Sequence, residues 1–358
     1  MISRKCFDQE WIDSKRSELR VRNPVLLEKC IHALQLLGHL SEKSGFDFVF
    51  KGGTSLVLLL EDIRRLSIDI DIVSSVEQDV YMPMLEDIGN SYPFLRQEED
   101  QRGDGRLPRR RHFKFFYNST YSQREDYVLL DILEEENHFP ETQLLPVRTP
   151  FVEVDREVMV RVPTIDCLTG DKLTAFAPGT VGVPLKIESS MQVAKQLFDV
   201  GELFNVIENL EMVKRAYNDI FTAENGYRGN RFSLMDALDD TIDTSALICQ
   251  LNLKGGIAND HTRLISNGIS RIQNHLIGPP YRIDDAKVSA ARVAYLAGLL
   301  KQDAIPSDIA GARFNRDKAD ELRDKRIEKW HVLDRLKAVN IEAFHYWLKL
   351  ENLDRQEK

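Results

Sequence analysis

The apolar positions of this chain change period twice. Residues 24–45, PVLLEKCIHALQLLGHLSEKSG, repeat Leu, Ile and Ala at three- and four-residue spacing, which predicts an amphipathic helix with Pro24 near its start and Gly45 at its end. FDFVF at 46–50 reads as a strand, GGTS as a turn, SLVLLLED at 55–62 as a short buried helix, and SIDIDIV at 67–73 as the next strand. Residues 77–90 predict another helix, weakened by Pro83. From 91 to 165 the pattern turns to β, with strands expected at 112–118 (HFKFFYN), 126–135 (DYVLLDILEE), 150–155 (PFVEVD) and 158–163 (VMVRVP). Helical spacing then returns at 165–177, 191–210, 212–226, 232–251 and 286–302. Residues 316–340 carry the alternating charges of a solvated helix face. No repeat or low-complexity segment interrupts this. The expectation is an α+β fold: a mixed domain over 1–163, then a helical domain over 164–358.

Composition narrows the class. The 358 residues are 42% hydrophobic and 29% charged, enough apolar material for ordinary cores. A net charge of −9 argues against a protein that coats nucleic acid non-specifically, though not against a local basic groove. The four cysteines, Cys6, Cys30, Cys167 and Cys249, have no zinc or Cys-x-x-Cys spacing. The first twenty residues are polar and charged, and the longest apolar run, Leu56 to Leu60, is far short of a membrane span. A soluble protein of the reducing cytoplasm is expected, with no membrane partner.

The candidate chemistry lies between Gly52 and Asp71. Residues i and i+2 of a strand share a face, so Asp69 and Asp71 should project together while Ile68, Ile70 and Ile72 face the core. Paired carboxylates repel, and a divalent cation relieves the repulsion. Mg²⁺ (or Mn²⁺) takes one or two protein carboxylates and fills its shell with water and substrate phosphate oxygens. Upstream, Gly52 and Gly53 let backbone amides approach a ligand, and Thr54 and Ser55 add hydroxyls at a helix start, where anions are favoured. A triphosphate fits between this turn and the metal. Asp131, in an apolar strand, is the candidate third carboxylate of a two-metal site, with Glu134 and Glu135 as rivals. For Ser55, a plain helix cap is the competing role.

Strand, Gly-Gly-Thr-Ser, short helix, Asp-x-Asp strand and later Asp strand together resemble the nucleotidyltransferase superfamily with a DNA polymerase β type core. More closely, KGGTSL followed by RRLSIDIDIV is similar to the AbiEii/AbiGii toxin family, which includes the MenT-type toxins. The matching positions are Gly52 to Leu56, then Arg65, Leu66, Ser67, Asp69 and Asp71. Downstream, DKLTAFA matches a family helix at Lys172, and AKQLFDVGELF matches another at Lys195 and Asp199. The resemblance covers roughly residues 25–210. It implies transfer of a nucleoside monophosphate from an NTP onto an acceptor hydroxyl, at the tRNA 3′ end in MenT-type relatives. It also implies that Lys172 contacts phosphates, that Asp199 orients Lys172 or the nucleotide, and that a cognate antitoxin exists.

The stretch RLPRRRHFK concentrates Arg106, Arg109, Arg110, Arg111 and Lys114 in an acidic chain. It reads as a solvated loop or as an RNA-backbone grip, for which the planar guanidinium is suited. Two other functions compete with RNA transfer. One is attachment of NMP to a protein hydroxyl, which the same core supports. The other is a nucleotide-sensing interaction module without catalysis.

Overall fold

The structure, a computed structural model, describes residues 1–100, 107–303, 305–306 and 309–356. These divide into two compact units. The first comprises Met1–Asn137, Glu141–Thr164 and Asn274–Pro280, and the second His138–Pro140, Ile165–Gln273 and Tyr281–Lys358.

The first unit is built on a mixed five-stranded sheet. Its strands are β1 (Val49–Lys51), β2 (Ile70–Ser74), β3 (Phe94–Asp100), β4 (Arg110–Asn118) and β5 (Glu125–Glu134), in the order β1-β2-β5-β4-β3. Only β2 and β5 run parallel; the other pairs are antiparallel. A separate hairpin joins β6 (Thr142–Pro146) to β7 (Met159–Pro163). Helices α1 (Gln9–Leu19), α2 (Pro24–Ser41), α3 (Gly52–Leu59) and α4 (Gln78–Gly89) complete the unit.

Alternation along the strands decides which face is covered. Phe50, Ile70, Ile72, Phe113, Phe115, Tyr117, Val128, Leu130 and Ile132 share one face and join α2 residues Leu27, Ile31 and Leu34 in a single apolar core. At roughly 2 kcal/mol for each large side chain taken from water, this face dominates the stability of the unit. Asn23 caps α2 by accepting from the Val25 amide at 3.0 Å, and Pro24 occupies the first helical position, where no amide hydrogen is needed.

Several expectations are corrected. Residues 150–155 form no strand. Their backbone bonds the chain start instead, Ser3 N donating to Glu153 O at 2.8 Å and Asp155 N to Met1 O at 2.9 Å. The charged β3 was not foreseen, and neither was β6. β3 is held on β4 by cross-strand ion pairs, which apolar alternation does not reveal.

The second unit is helical: α5 (Ile165–Ala175), α6 (Ser190–Leu203), α7 (Leu210–Tyr227), α8 (Leu234–Gln250), α9 (Asp260–Arg271), α10 (Ile283–Lys301), α11 (Leu336–Val339) and α12 (Ile341–Gln356). α10 is its core helix, with thirteen of its residues buried. Sequence periodicity had not singled out α9 and α12. The solvated helix expected at 316–340 breaks into short 3₁₀ pieces and the single turn of α11. The first piece, Arg316–Leu322, buries no residue, and without a packed face a long helix has little to hold it. No helix among the described residues is long and apolar enough to cross a membrane.

Candidate active site

The strand registers draw one polar row across the open face of the sheet. Lys51 lies opposite Asp71, Asp71 opposite Asp131, Asp131 opposite His112, and His112 opposite Asp100. Register partners point to the same side of a sheet. All five are half-buried, whereas the neighbours Phe50, Ile70, Ile72, Leu130, Ile132 and Phe113 are in the core. His112 Nδ1 is 2.7 Å from Asp131 Oδ1.

This geometry separates Asp131 from its rivals. Glu134 points to the other face, where it accepts from the Tyr81 hydroxyl, and Glu135 lies beyond the end of β5. Asp71 and Asp131 stand on adjacent parallel strands, about 4.8 Å apart by strand spacing. Two like-charged carboxylates on neighbouring strands repel. Lys51 and His112, at either end of the pair, offset part of this.

Gly52 closes the site from above. A methyl group on Gly52 would sit 2.1 Å from Asp71 Oδ2, and its φ of +78° favours glycine. The backbone therefore passes directly over the Asp71 carboxylate. Gly53 is bounded by Arg65 and Ser67, whose side chains would lie within 3 Å of a methyl there. The GGTS segment is not a turn ahead of a helix at 55–62 but the first turn of α3 itself.

Thr54 and Ser55 are tied to the motif's own backbone. Both are fully buried. Thr54 Oγ1 donates to Asp69 O at 2.6 Å, and Ser55 Oγ donates to Gly52 O at 2.8 Å. These two bonds brace the motif, and Ser55 lies inside the helix, whose N-cap is Lys51.

Asp69 also differs from expectation. The strand begins at Ile70, not at 67. Residues 64–66 pair elsewhere, Leu66 N donating to His275 O at 2.8 Å and Ile277 N to Arg64 O at 2.9 Å, and the Asp69 carbonyl is taken by Thr54. Asp69 thus sits on the approach to β2, half-buried like Asp71, with Ile70 buried between them.

In the second unit, Lys172 Nζ lies 3.2 Å from Asp199 Oδ2, with side chains only 5% and 1% exposed. The two family-like helices, α5 and α6, therefore meet through a closed ion pair. Lys195 on α6 is half-buried.

The basic stretch is not one open ribbon. Arg111 grips Glu99 through Nε at 2.9 Å and Nη2 at 2.6 Å, and Lys114 pairs with Asp100 at 3.0 Å. Arg109 and Arg110 are exposed. Arg106 lies outside the described residues.

The donors present are hard carboxylate oxygens; Asp71 lies directly beneath the Gly52 backbone, and Asp131 is its register partner. Among the described residues, no group of three or more His, Cys, Asp and Glu side chains is disposed to hold a metal ion. Mg²⁺ takes one or two protein carboxylates and keeps its other positions for water and phosphate oxygens. His112 was missed by sequence reasoning. Its only signal was its place on the polar side of a strand that alternates with Phe113, Phe115 and Tyr117.

Residues 35–267 match the family described as nucleotidyl transferase AbiEii toxin, type IV TA system. Among solved structures, the chain is similar to MenT4, a nucleotidyltransferase toxin from Mycobacterium tuberculosis H37Rv, at 16% identity and a TM-score of 0.50, covering 92% of each chain. It is also similar to JHP933 from Helicobacter pylori, at 16% identity and a TM-score of 0.43, covering 76% of this chain and 92% of that one. No curated protein sequence matches the chain significantly.

Proposed function

The chain belongs to the AbiEii family of nucleotidyltransferase toxins, and we propose that it transfers a nucleoside monophosphate from an NTP to the 3′ hydroxyl of RNA, at the acceptor end of tRNA. The observation that carries this reading is the register pair Asp71–Asp131, with the Gly52 backbone directly over Asp71.

Asp71 and Asp131, with Asp69 beside them, would hold a divalent cation. When bound, Mg²⁺ would neutralise the paired carboxylates and polarise the α-phosphate, and a second ion held by the same aspartates would lower the pKa of the attacking hydroxyl. The amides of Gly52 and Gly53, at the start of α3, would take the triphosphate. The acceptor oxygen bonds the α-phosphorus, the α–β anhydride breaks, and pyrophosphate leaves. Asp131 accepts the hydroxyl proton. Lys172, steadied by Asp199, and Lys195 are the phosphate contacts that the family resemblance suggests. A cognate antitoxin belongs to the same reading, because the family is that of type IV toxin–antitoxin systems.

The test is a labelling assay with total RNA, Mg²⁺ and each α-phosphate-radiolabelled NTP in turn, beside Asp69→Ala. A labelled band of tRNA size that vanishes in the variant is expected. Label that persists in Asp69→Ala sinks the site. Label on protein moves the acceptor to a protein hydroxyl, and no label from folded protein favours the sensing module.

A further inference from the structure

We propose that His112 is a positioning residue that fixes the Asp131 carboxylate for cation binding and proton acceptance, an inference that rests on the reading of Asp131 given above. The geometry is specific. His112 Nδ1 and Asp131 Oδ1 are 2.7 Å apart across directly registered positions of β4 and β5. An ionised carboxylate only accepts hydrogen bonds, so Nδ1 carries the hydrogen in this contact. With Oδ1 held, Oδ2 is the oxygen left for a cation or an acceptor proton. A carboxylate without such a partner rotates among several orientations and presents either oxygen.

β4 is a suitable mount for this. On one side of His112, Arg111 is clamped to Glu99 by two bonds, and on the other Phe113 is fully buried. Both neighbours anchor to the core-side face, so the backbone that carries the imidazole is held in place. A site held by such a strand is more precise than one held by a loop. Outer partners of metal-binding carboxylates and histidines typically change metal affinity or activity 10- to 100-fold when removed.

The experiment uses the full chain as wild type, His112→Ala and His112→Asn. Asparagine carries its amide nitrogen one bond beyond Cγ, as Nδ1 is, and so keeps the donor without the ring. Two quantities are read: Mn²⁺ affinity by electron paramagnetic resonance without nucleotide, and kcat and KM for transfer from the NTP that labels. His112→Ala should weaken Mn²⁺ binding and lower kcat by roughly 10- to 100-fold with KM for NTP nearly unchanged. His112→Asn should recover both to within about threefold of wild type, as expected where the donor is what counts. If transfer is observed but neither quantity responds to His112→Ala, the positioning role is overturned while the transferase reading stands. If both fall in His112→Ala and asparagine restores neither, the ring merely fills space and the role is likewise overturned. If Mn²⁺ affinity follows the His112 donor but the wild type labels no acceptor, the positioning role stands and the transferase reading falls.

Discussion

The two faces of the five-stranded sheet treat polar groups in opposite ways. On the core side, Glu28 of α2 is fully buried, and each of its oxygens has a donor: Ser119 Oγ at 2.8 Å and the Thr120 amide at 2.6 Å. His32, one turn further on, stacks on Tyr117 at 3.6 Å and has its Nδ1 2.9 Å from Glu28 O. These groups are satisfied by the fold itself, as buried polar groups must be. On the open side, Asp71 and Asp131 stand in register on neighbouring strands, a placement that costs the folded state Coulomb energy. The core face pairs its buried charge within the fold, whereas the open face sets two carboxylates side by side.

The sharpest way to break this contrast is to neutralise the open face. Asp71→Asn should lower transfer by ~10³-fold or more, in line with the loss of a group that acts as part of a catalytic unit. The folded fraction, read by circular dichroism, should stay that of the wild type. A variant that loses activity by unfolding would place Asp71 with Glu28, among groups that serve structure.

The core face answers to pH instead. Burial pushes His32 down to about 4 from its usual 6.5. The unfolded chain therefore takes a proton as pH falls through 6.5, while the folded chain resists until about 4. Stability from this group is complete above 6.5 and drains as pH falls through that window, at about 1.4 kcal/mol per pH unit and about 3 kcal/mol in all. His39, also pushed down by burial, adds the same sign. Urea unfolding from pH 7.5 to 4.5 should therefore show a slope that His32→Phe flattens. An unchanged slope in His32→Phe would show that His32 is not buried as a neutral ring.

How much of this was legible in the sequence depends on the range of the interaction concerned. The place of Asp71 on the polar side of β2 and the order of the early elements are local patterns, and they were readable. The family resemblance rested on the same short segment. Register is not local: nothing in HFKFFYN indicates that His112 meets Asp131 and not the residue two places along. The start of β2 was misjudged because residues 64–66 are claimed by a partner more than 200 residues away, His275 to Ile277. β3 escaped because its stabilising partners, Arg111 and Lys114, lie on another strand and are polar. The inward direction of the Thr54 and Ser55 hydroxyls depends on backbone carbonyls that only the folded loop brings near.

The smallest expected effect concerns the basic stretch, and it divides residues that the sequence treats alike. Arg109 and Arg110 are exposed, whereas Arg111 is bound bidentately to Glu99 with its side chain only 15% exposed. If RNA lies against this edge, only the first two are available without breaking an existing pair. Each phosphate contact on a single strand contributes about 0.7 to the slope of log affinity against log salt. Arg109→Ala with Arg110→Ala should therefore weaken RNA binding several-fold at moderate salt and lower that slope by about 1.4. Arg111→Ala should leave the slope alone and instead loosen the β3–β4 edge by about 1 kcal/mol, the upper range for a partly exposed pair. A slope that also falls by about 0.7 in Arg111→Ala would mean that Arg111 exchanges Glu99 for phosphate. The edge strand would then be part of the acceptor site, not its frame.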